Sequence, residues 1–468
     1  MFGLLRKRGV LFLGLSNTVS QLGDRLTYMA IVTLIGTIAP GRISAFSEFS
    51  ATFTLPIIIL SPFVGVVIDH SNKQRIMLRC HLIQSLLIFI APTFIMLTRS
   101  MTPIWILVVL FYSLEVFNNT SRNCVVPDLV DYGDLVPANS IINTLSRFAT
   151  FIGMVGGGYL IAKIGWRYGF YVNATTHLIA GTLVLGMGAR ILFEPVRKLK
   201  FSLTRELRKS FNLFLADLKE LGILLTKDRM VIFVMLSVLI LPFVAAVAHT
   251  VLVFLVQQQF ELGTAGVGIF GGIIGVGMLN GAVLMGHIGK RRISLGELLI
   301  YTISIVALFF VQNRFGFGNS VTISIVAAAV LVCRVVMGYF GERVSRGMII
   351  LYSVAILAVS LFAGPFFVTP HFIYVVAFVS GAIFSFIGIS QDTILQEDVM
   401  KDIRGRIFAT KEFLLNLTLL CSAMLVGIAS HFLKPYTIIR CAGAVLFVVL
   451  AFAVLVYRSI PYEIRSKL

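Results

Sequence analysis

Between about residue 10 and residue 458 the chain holds fourteen stretches long and apolar enough to cross a lipid bilayer. A hydrocarbon core about 30 Å thick takes about 20 residues of helix to span, and each of these stretches meets that length. In the first half they run roughly 10–37, 46–68, 76–97, 103–123, 138–163 and 168–190. In the second half they run roughly 230–257, 264–289, 293–312, 320–341, 346–367, 371–392, 405–432 and 436–458. The fold class this predicts is all-α, a polytopic membrane protein with about fourteen transmembrane helices.

Only 13% of the residues are charged, against about a quarter in an ordinary soluble domain. The formal net charge of +18 invites a nucleic-acid partner, but its placement argues against one. About 28 Lys and Arg fall at helix ends on the N-terminal side and about 6 on the opposite side, which is the positive-inside pattern. The basic excess therefore reads as topology. It predicts a multi-pass protein of the cell inner (cytoplasmic) membrane, with both termini and the central loop in the cytoplasm. The opening Arg6-Lys7-Arg8 resembles the start of a signal peptide, but the apolar run behind it is long and lacks a small-residue cleavage site, so it predicts a retained first helix. The five cysteines, Cys80, Cys124, Cys333, Cys421 and Cys441, are scattered without metal-ligand spacing and read as small hydrophobes; no metal and no cofactor is expected.

The longest non-spanning segment, 191–229, is polar and basic. Leu203, Leu207, Phe211, Phe214, Leu218 and Leu221 recur at helical spacing between Arg205, Arg208, Lys209, Asn212 and Lys219. This is an amphipathic helix that lies either on the cytoplasmic membrane face or on the protein's own surface. The expected organisation is an N-terminal six-helix bundle over 1–190, this linker over 191–229, and a C-terminal bundle over 230–468.

The short turn after the second span reads Gly65-Val-Val-Ile-Asp69-His-Ser-Asn-Lys73-Gln-Arg75. It resembles the loop that marks the major facilitator superfamily of secondary transporters between helices 2 and 3. Three further segments resemble the drug and siderophore exporter branch. They are Ser20-Gln-Leu-Gly23-Asp24-Arg25-Leu, Pro127-Asp-Leu with Leu135-Val-Pro-Ala138-Asn139-Ser, and Gln391-Asp-Thr-Ile-Leu-Gln396 with Ile403-Arg404-Gly405-Arg406-Ile-Phe408. The resemblance implies two bundles of six helices around a central cavity, rocking to give alternating access. Eight spans in the second half then require a two-helix insertion at about 293–341. Basic loops at Gly286–Arg292 and Gly338–Arg346, which echo Gly65–Arg75, flank it. In the family the loop aspartate closes the cytoplasmic side, so the resemblance implies a gate of Gly65, Asp69, Lys73 and Arg75. Their partner is the helix beginning near Gly405-Arg406, whose N-terminus carries partial positive charge. Gly65 would allow close helix approach, as would Gly153, Gly156, Gly157 and Gly158.

Ionisable side chains at membrane depth are costly and mark functional sites. Asp24 and Arg25 sit near the middle of the first span, about 100° apart around a helix, so one should line the cavity while the other pairs with a neighbouring helix. Asp24 is the first candidate for a protonation or cation-coupling site, with a structural ion pair as the alternative. Glu115 and Arg147 lie at equal depth, about 12–14 Å from their helix ends, which predicts a salt bridge, either a switch or a permanent brace. Helix 4 carries Glu115 where many proton-coupled members have an arginine. The acidic loop Asp128, Asp131 and Asp134 reads as solvated, since the second aspartate-rich site of a prenyltransferase has no counterpart.

No Gly-x-x-x-x-Gly-Lys-Ser/Thr loop and no nucleophile constellation occurs, so neither ATP-driven transport nor an enzyme is expected. The function this implies is ion-gradient-driven export of a small amphipathic or hydrophobic molecule by a monomer. The expected partners are that solute, a coupling proton or cation, and the lipid bilayer. A lysophospholipid or other lipid flippase on the same fold is the alternative, and a non-transporting membrane sensor or subunit a second one.

Overall fold

The structure, a computed structural model, describes residues 6–69, 71–98, 100–131, 134–188, 208, 211, 212, 215, 216, 219, 229–286, 345–366, 370–398 and 401–460. Among them are twelve long α-helices and no strand: α1 (Arg8–Ile38), α2 (Ile43–Asp69), α3 (Lys73–Thr98), α4 (Thr102–Leu129), α5 (Leu135–Ile164), α6 (Trp166–Gly186), α7 (Arg229–Val247), α8 (Gly263–Gly286), α9 (Arg346–Ala363), α10 (Pro370–Asp398), α11 (Lys401–Ala429) and α12 (Pro435–Arg458). Two π-helical stretches, Ala248–Leu252 and Leu255–Gln259, prolong α7. Helices satisfy their own backbone groups, the condition that hydrocarbon imposes. Pro56 and Pro62 in α2, Pro92 in α3, Pro127 in α4 and Pro242 in α7 sit inside helices without ending them.

Ten of the twelve helices are long and apolar enough to span a membrane. The two that fall short, α1 and α6, do so on hydropathy and not on length, since they run for 31 and 21 residues. Their polar residues face each other. Ser16 Oγ donates to the Ala180 carbonyl at 2.9 Å, and Asn173 Nδ2 donates to Thr27 Oγ1 at 2.7 Å. Gly23 sits against the Asn173 and Thr176 side chains, where a Cβ would lie 2.0 Å from Asn173 Oδ1. The two helices that fall short thus hide part of their polarity in a shared seam, the arrangement a low-dielectric surround favours.

The described residues divide into two compact units. One is Met1–Ala216 with Gln257–Gly268; the other is Asp217–Val256 with Ile269–Leu468. In the first, α3 is tied to α6 by Gln74 Nε2 donating to the Val184 carbonyl at 2.6 Å and Ser85 Oγ to the Ala174 carbonyl at 2.7 Å. Asn72 caps α3, its Oδ1 accepting from the Arg75 amide at 2.9 Å. Lys7 bonds Asp131 and Asp134 at 3.1 and 3.0 Å, and Lys73 bonds Asp128 at 2.8 Å. Hydrogen bonds to Asp134 and then Asp131 hold the Lys7 ammonium above the ordinary lysine range. These loop aspartates are ion-paired clasps on α1 and α3 and not merely solvated; exposed pairs of this kind contribute little stability.

In the second unit α8 and α10 meet backbone to backbone at Gly277, Gly281 and Gly381. Gln391 Nε2 donates to Ser237 Oγ at 3.1 Å, joining α10 to α7. Ser345 caps α9, accepting from the Met348 amide at 3.3 Å and sharing a 2.7 Å bond with the Tyr457 hydroxyl of α12. Large apolar side chains such as Leu97, Phe432 and Val448 are exposed, as on a surface that meets lipid.

The two crossings expected at 293–312 and 320–341 lie outside the described residues, so twelve helices are counted among these and not fourteen. Of the amphipathic segment, Arg208, Phe211, Asn212, Leu215, Ala216 and Lys219 are described, all exposed, and Phe211 stacks on Phe63 of α2 at 6.0 Å. That contact places Phe211 against the protein's own surface.

Candidate functional site

The first unit encloses a cavity of about 410 Å³, within the range of a small-molecule site. Three helices line it. From α1 come Gln21, Asp24 and Arg25; from α2, Ile57 and Ser61; from α4, Phe111, Tyr112, Glu115, Val116, Asn119 and Thr120. Residues 21, 24 and 25 share one helical face by their spacing, as do 112, 115, 116, 119 and 120.

Each charged side chain on the cavity has a different degree of pairing. Asp24 Oδ1 lies 3.0 Å from Nε2 of His177, which is fully buried on α6, while the aspartate side chain keeps 12% of its surface open. Glu115 is buried; its Oε2 accepts from Gln84 Nε2 of α3 at 3.0 Å and its Oε1 from Asn119 Nδ2 at 2.9 Å. Arg25 is the least satisfied. Its one hydrogen bond among the described residues is a 3.5 Å contact from Nη2 to Gln21 Oε1, and its buried Nε has no partner. An arginine with spare donors beside Phe111 and Tyr112 suits a solute with an acidic group and an apolar body.

Gln84 is one of two side-chain donors to the buried Glu115, Asn119 being the other, and removing it leaves one carboxylate oxygen without that bond in a site where desolvation is costly. Gln84→Leu should therefore destabilise the detergent-solubilised protein by about 1.5–3 kcal/mol, read as a lowered melting temperature. An unchanged melting temperature would show that Glu115 does not depend on this bond.

The sequence-expected residues fare unequally. Asp24 and Arg25 both line the cavity, so the expected division of labour does not hold: Asp24 lines it and pairs with α6 at once. Glu115 and Arg147 do not meet. Arg147 is exposed on α5, and Glu115 turns to α3 instead. The arginine of α4 that shares its surroundings is Arg122, bonded to Asn17 Oδ1. Of the gate loop, Lys73 pairs with Asp128, and Arg75 begins α3 behind the Asn72 cap. A Cβ at Gly65 would meet open space, as would one at Gly156, so neither is a close-approach glycine in this conformation. Gly153, Gly157 and Gly158 do pack closely, with a Cβ on Gly153 meeting the Arg25 side chain at 2.9 Å. The side chains of Asp69 and Arg406 lie outside the described residues.

Several residues escaped the sequence reading. His177 and His81 stand behind Asp24, their Nδ1 atoms 3.1 Å apart. In the second unit Lys411 of α11, buried, is bonded to Asp392 of α10. The signal available for His177 was its place in Asn173-x-x-Thr176-His177, a polar stripe midway along an otherwise apolar span.

Comparison with known proteins gives this architecture a family. The Major Facilitator Superfamily matches residues 13–321, more than half of the chain. The MFS-type transporter YfiS of Bacillus subtilis (strain 168) is 24% identical over 181 residues, which cover 38% of this chain and 42% of that protein. The candidate bacilysin exporter BacE of Bacillus amyloliquefaciens is 24% identical over 279 residues, covering 55% of this chain and 66% of the relative. The matched regions thus span less than two thirds of these relatives' lengths. Among solved structures, the nucleoside transporter NupG superposes with a TM-score of 0.64 at 13% identity, covering 97% of this chain and 100% of its own. A bacterial homologue of the iron transporter ferroportin in its inward-facing state gives 0.60 at 15% identity, covering 96% and 98%. Those likenesses establish the fold. With a family match over most of its length and ten described helices long and apolar enough to cross a membrane, the chain belongs to the Major Facilitator Superfamily.

Proposed function

We propose that this chain is a secondary active transporter that exports a small amphipathic solute bearing an acidic group, by alternating access and at the expense of an ion gradient. The observation that carries the reading is the cavity of about 410 Å³ in which Asp24, Arg25 and Glu115 converge beside Phe111 and Tyr112. Arg25 holds the acidic group, the aromatic rings take the apolar body, and Asp24 carries the coupling ion. The likeness to BacE supports export as the direction.

The chain works as a monomer in the cell inner membrane with both termini cytoplasmic. Its two bundles, 1–190 and 230–468, are joined by the 191–229 linker, and a two-helix insertion at about 293–341 brings the crossings to fourteen. Asp69, Lys73 and Arg75 belong to the cytoplasmic gate loop.

Everted membrane vesicles test the direction and the site together. Given a pH gradient, they should accumulate carboxylate-bearing amphipathic solutes from a panel that includes lysophospholipids. Arg25→Gln should reduce that accumulation by roughly tenfold or more, since a charge-assisted hydrogen bond contributes about 1.5–3 kcal/mol. Accumulation only by right-side-out vesicles would make the chain an importer, and preference for the lysophospholipids would make it a flippase.

A further inference from the structure

Behind the cavity, three helices are joined by an unbroken line of titratable groups. Asp24 of α1 meets His177 Nε2 of α6 at 3.0 Å, and His177 Nδ1 meets His81 Nδ1 of α3 at 3.1 Å. Both histidines are buried, at 0% and 1% exposure, while Asp24 opens on the cavity. The Phe111 ring stands edge-on to the His177 imidazole at 5.5 Å. We propose that Asp24, His177 and His81 form a single site that holds one exchangeable proton and delivers it to the cavity at Asp24. The proposal rests on the transport reading above, and names the proton as its coupling ion.

Hydrogen-bond chemistry sets the two states. An Nδ1-to-Nδ1 contact between imidazoles requires one ring to donate and the other to accept. In the empty state His81 donates Nδ1–H to His177, and His177 donates Nε2–H to the Asp24 carboxylate; the line has a net charge of −1. One added proton enters at His81 Nε2 as the Nδ1 proton of His81 passes to His177 Nδ1. His177 is then an imidazolium between the two partners, or it passes its Nε2 proton to Asp24, which becomes a carboxylic acid. Both forms carry the same number of protons and a net charge of zero. Release from Asp24 to the cavity hands over one proton and leaves the rings in the opposite tautomers, His177 carrying Nδ1–H and His81 Nε2–H.

The surroundings fit such a site. Glu115 and Tyr112 approach from α4, Arg25 from α1, and Cys80 is the neighbour of His81 on α3. The charged residues of α5, Arg147 and Lys163, are exposed and leave the line to these groups.

Histidine-nitrogen NMR of the full-length protein in lipid nanodiscs, followed through a pH titration, tests this without a known solute. The expected result is that His81 and His177 titrate together with one shared midpoint, and that Asp24→Asn shifts both. His81→Gln, a second variant that keeps a hydrogen-bonding side chain, should shift the midpoint of His177. Two independent midpoints, or two rings that keep their protons throughout, would overturn the proposal. If the shared midpoint is found but no solute moves with the pH gradient in vesicles, the one-proton site stands and the coupling assigned to it is overturned.

Discussion

Asp24→Asn is expected to remove the gradient-driven part of transport and leave the protein folded. Asparagine keeps the size of the side chain, and its Oδ1 accepts from His177 Nε2 as the carboxylate does at 3.0 Å. What it loses is the ability to exchange a proton or to balance a cation. In proteoliposomes with an imposed pH gradient, flux through Asp24→Asn should fall to that of protein-free vesicles. Solute binding should weaken by about tenfold or less, the equivalent of about 1.4 kcal/mol. Asp24→Ala is the harsher variant: it leaves the buried His177 Nε2 without a partner, at a cost of about 1–3 kcal/mol of stability. Full gradient-driven flux in Asp24→Asn would reduce Asp24 to a brace between α1 and α6.

The largest effect on folding is expected where α8 crosses α10. A Cβ at Gly277 would lie 2.1 Å from the Phe378 carbonyl oxygen, and one at Gly381 would lie 2.1 Å from that of Ile274. The obstructing atoms are backbone on both sides, so no rotamer change makes room. Membrane helices associate through such close approach, because lipid tails offer apolar contacts as good as a neighbouring helix does. Overpacking costs about 1–3 kcal/mol even where side chains can shift. Gly277→Leu and Gly381→Leu should each cost more, seen as loss of the monodisperse peak on size-exclusion chromatography. Gly65→Ala is the contrasting case. Its Cβ meets open space, so the melting temperature should stay level or rise slightly with helix propensity. A monodisperse, normally melting Gly277→Leu would mean that the α8–α10 crossing is looser than described.

The helices were legible because hydrocarbon makes one demand, and the apolar runs answer it directly. The span expected at 436–458 is α12 at Pro435–Arg458, while those expected to end at 123 and 392 run on to Leu129 and Asp398. Asp24 was legible for the same reason, since a charge in mid-span stands out against its surroundings. Its partner was not, because a histidine in an apolar helix gives no pairwise signal until two helices are placed side by side. The Glu115–Arg147 expectation failed because depth along a helix fixes height and says nothing of rotation. Glu115 lies on the α4 face that reaches Gln84, while Arg147 turns outward on α5. Asp392 was in view as part of a motif, and Lys411 was not. Only the packing of α10 on α11 made them an ion pair. Gly65 shows a further limit: a motif glycine can act in another conformation of the cycle from the one seen.

The measurement that bears most directly on ion-coupled export through the Asp24 cavity is internal pH in proteoliposomes while a carboxylate-bearing amphipathic solute is added outside. With wild type, solute movement should drive a pH change inside the vesicles, and Asp24→Asn should show none. Solute movement in wild type with no change in internal pH would contradict proton-coupled transport and leave a uniporter or a lipid carrier on the same fold.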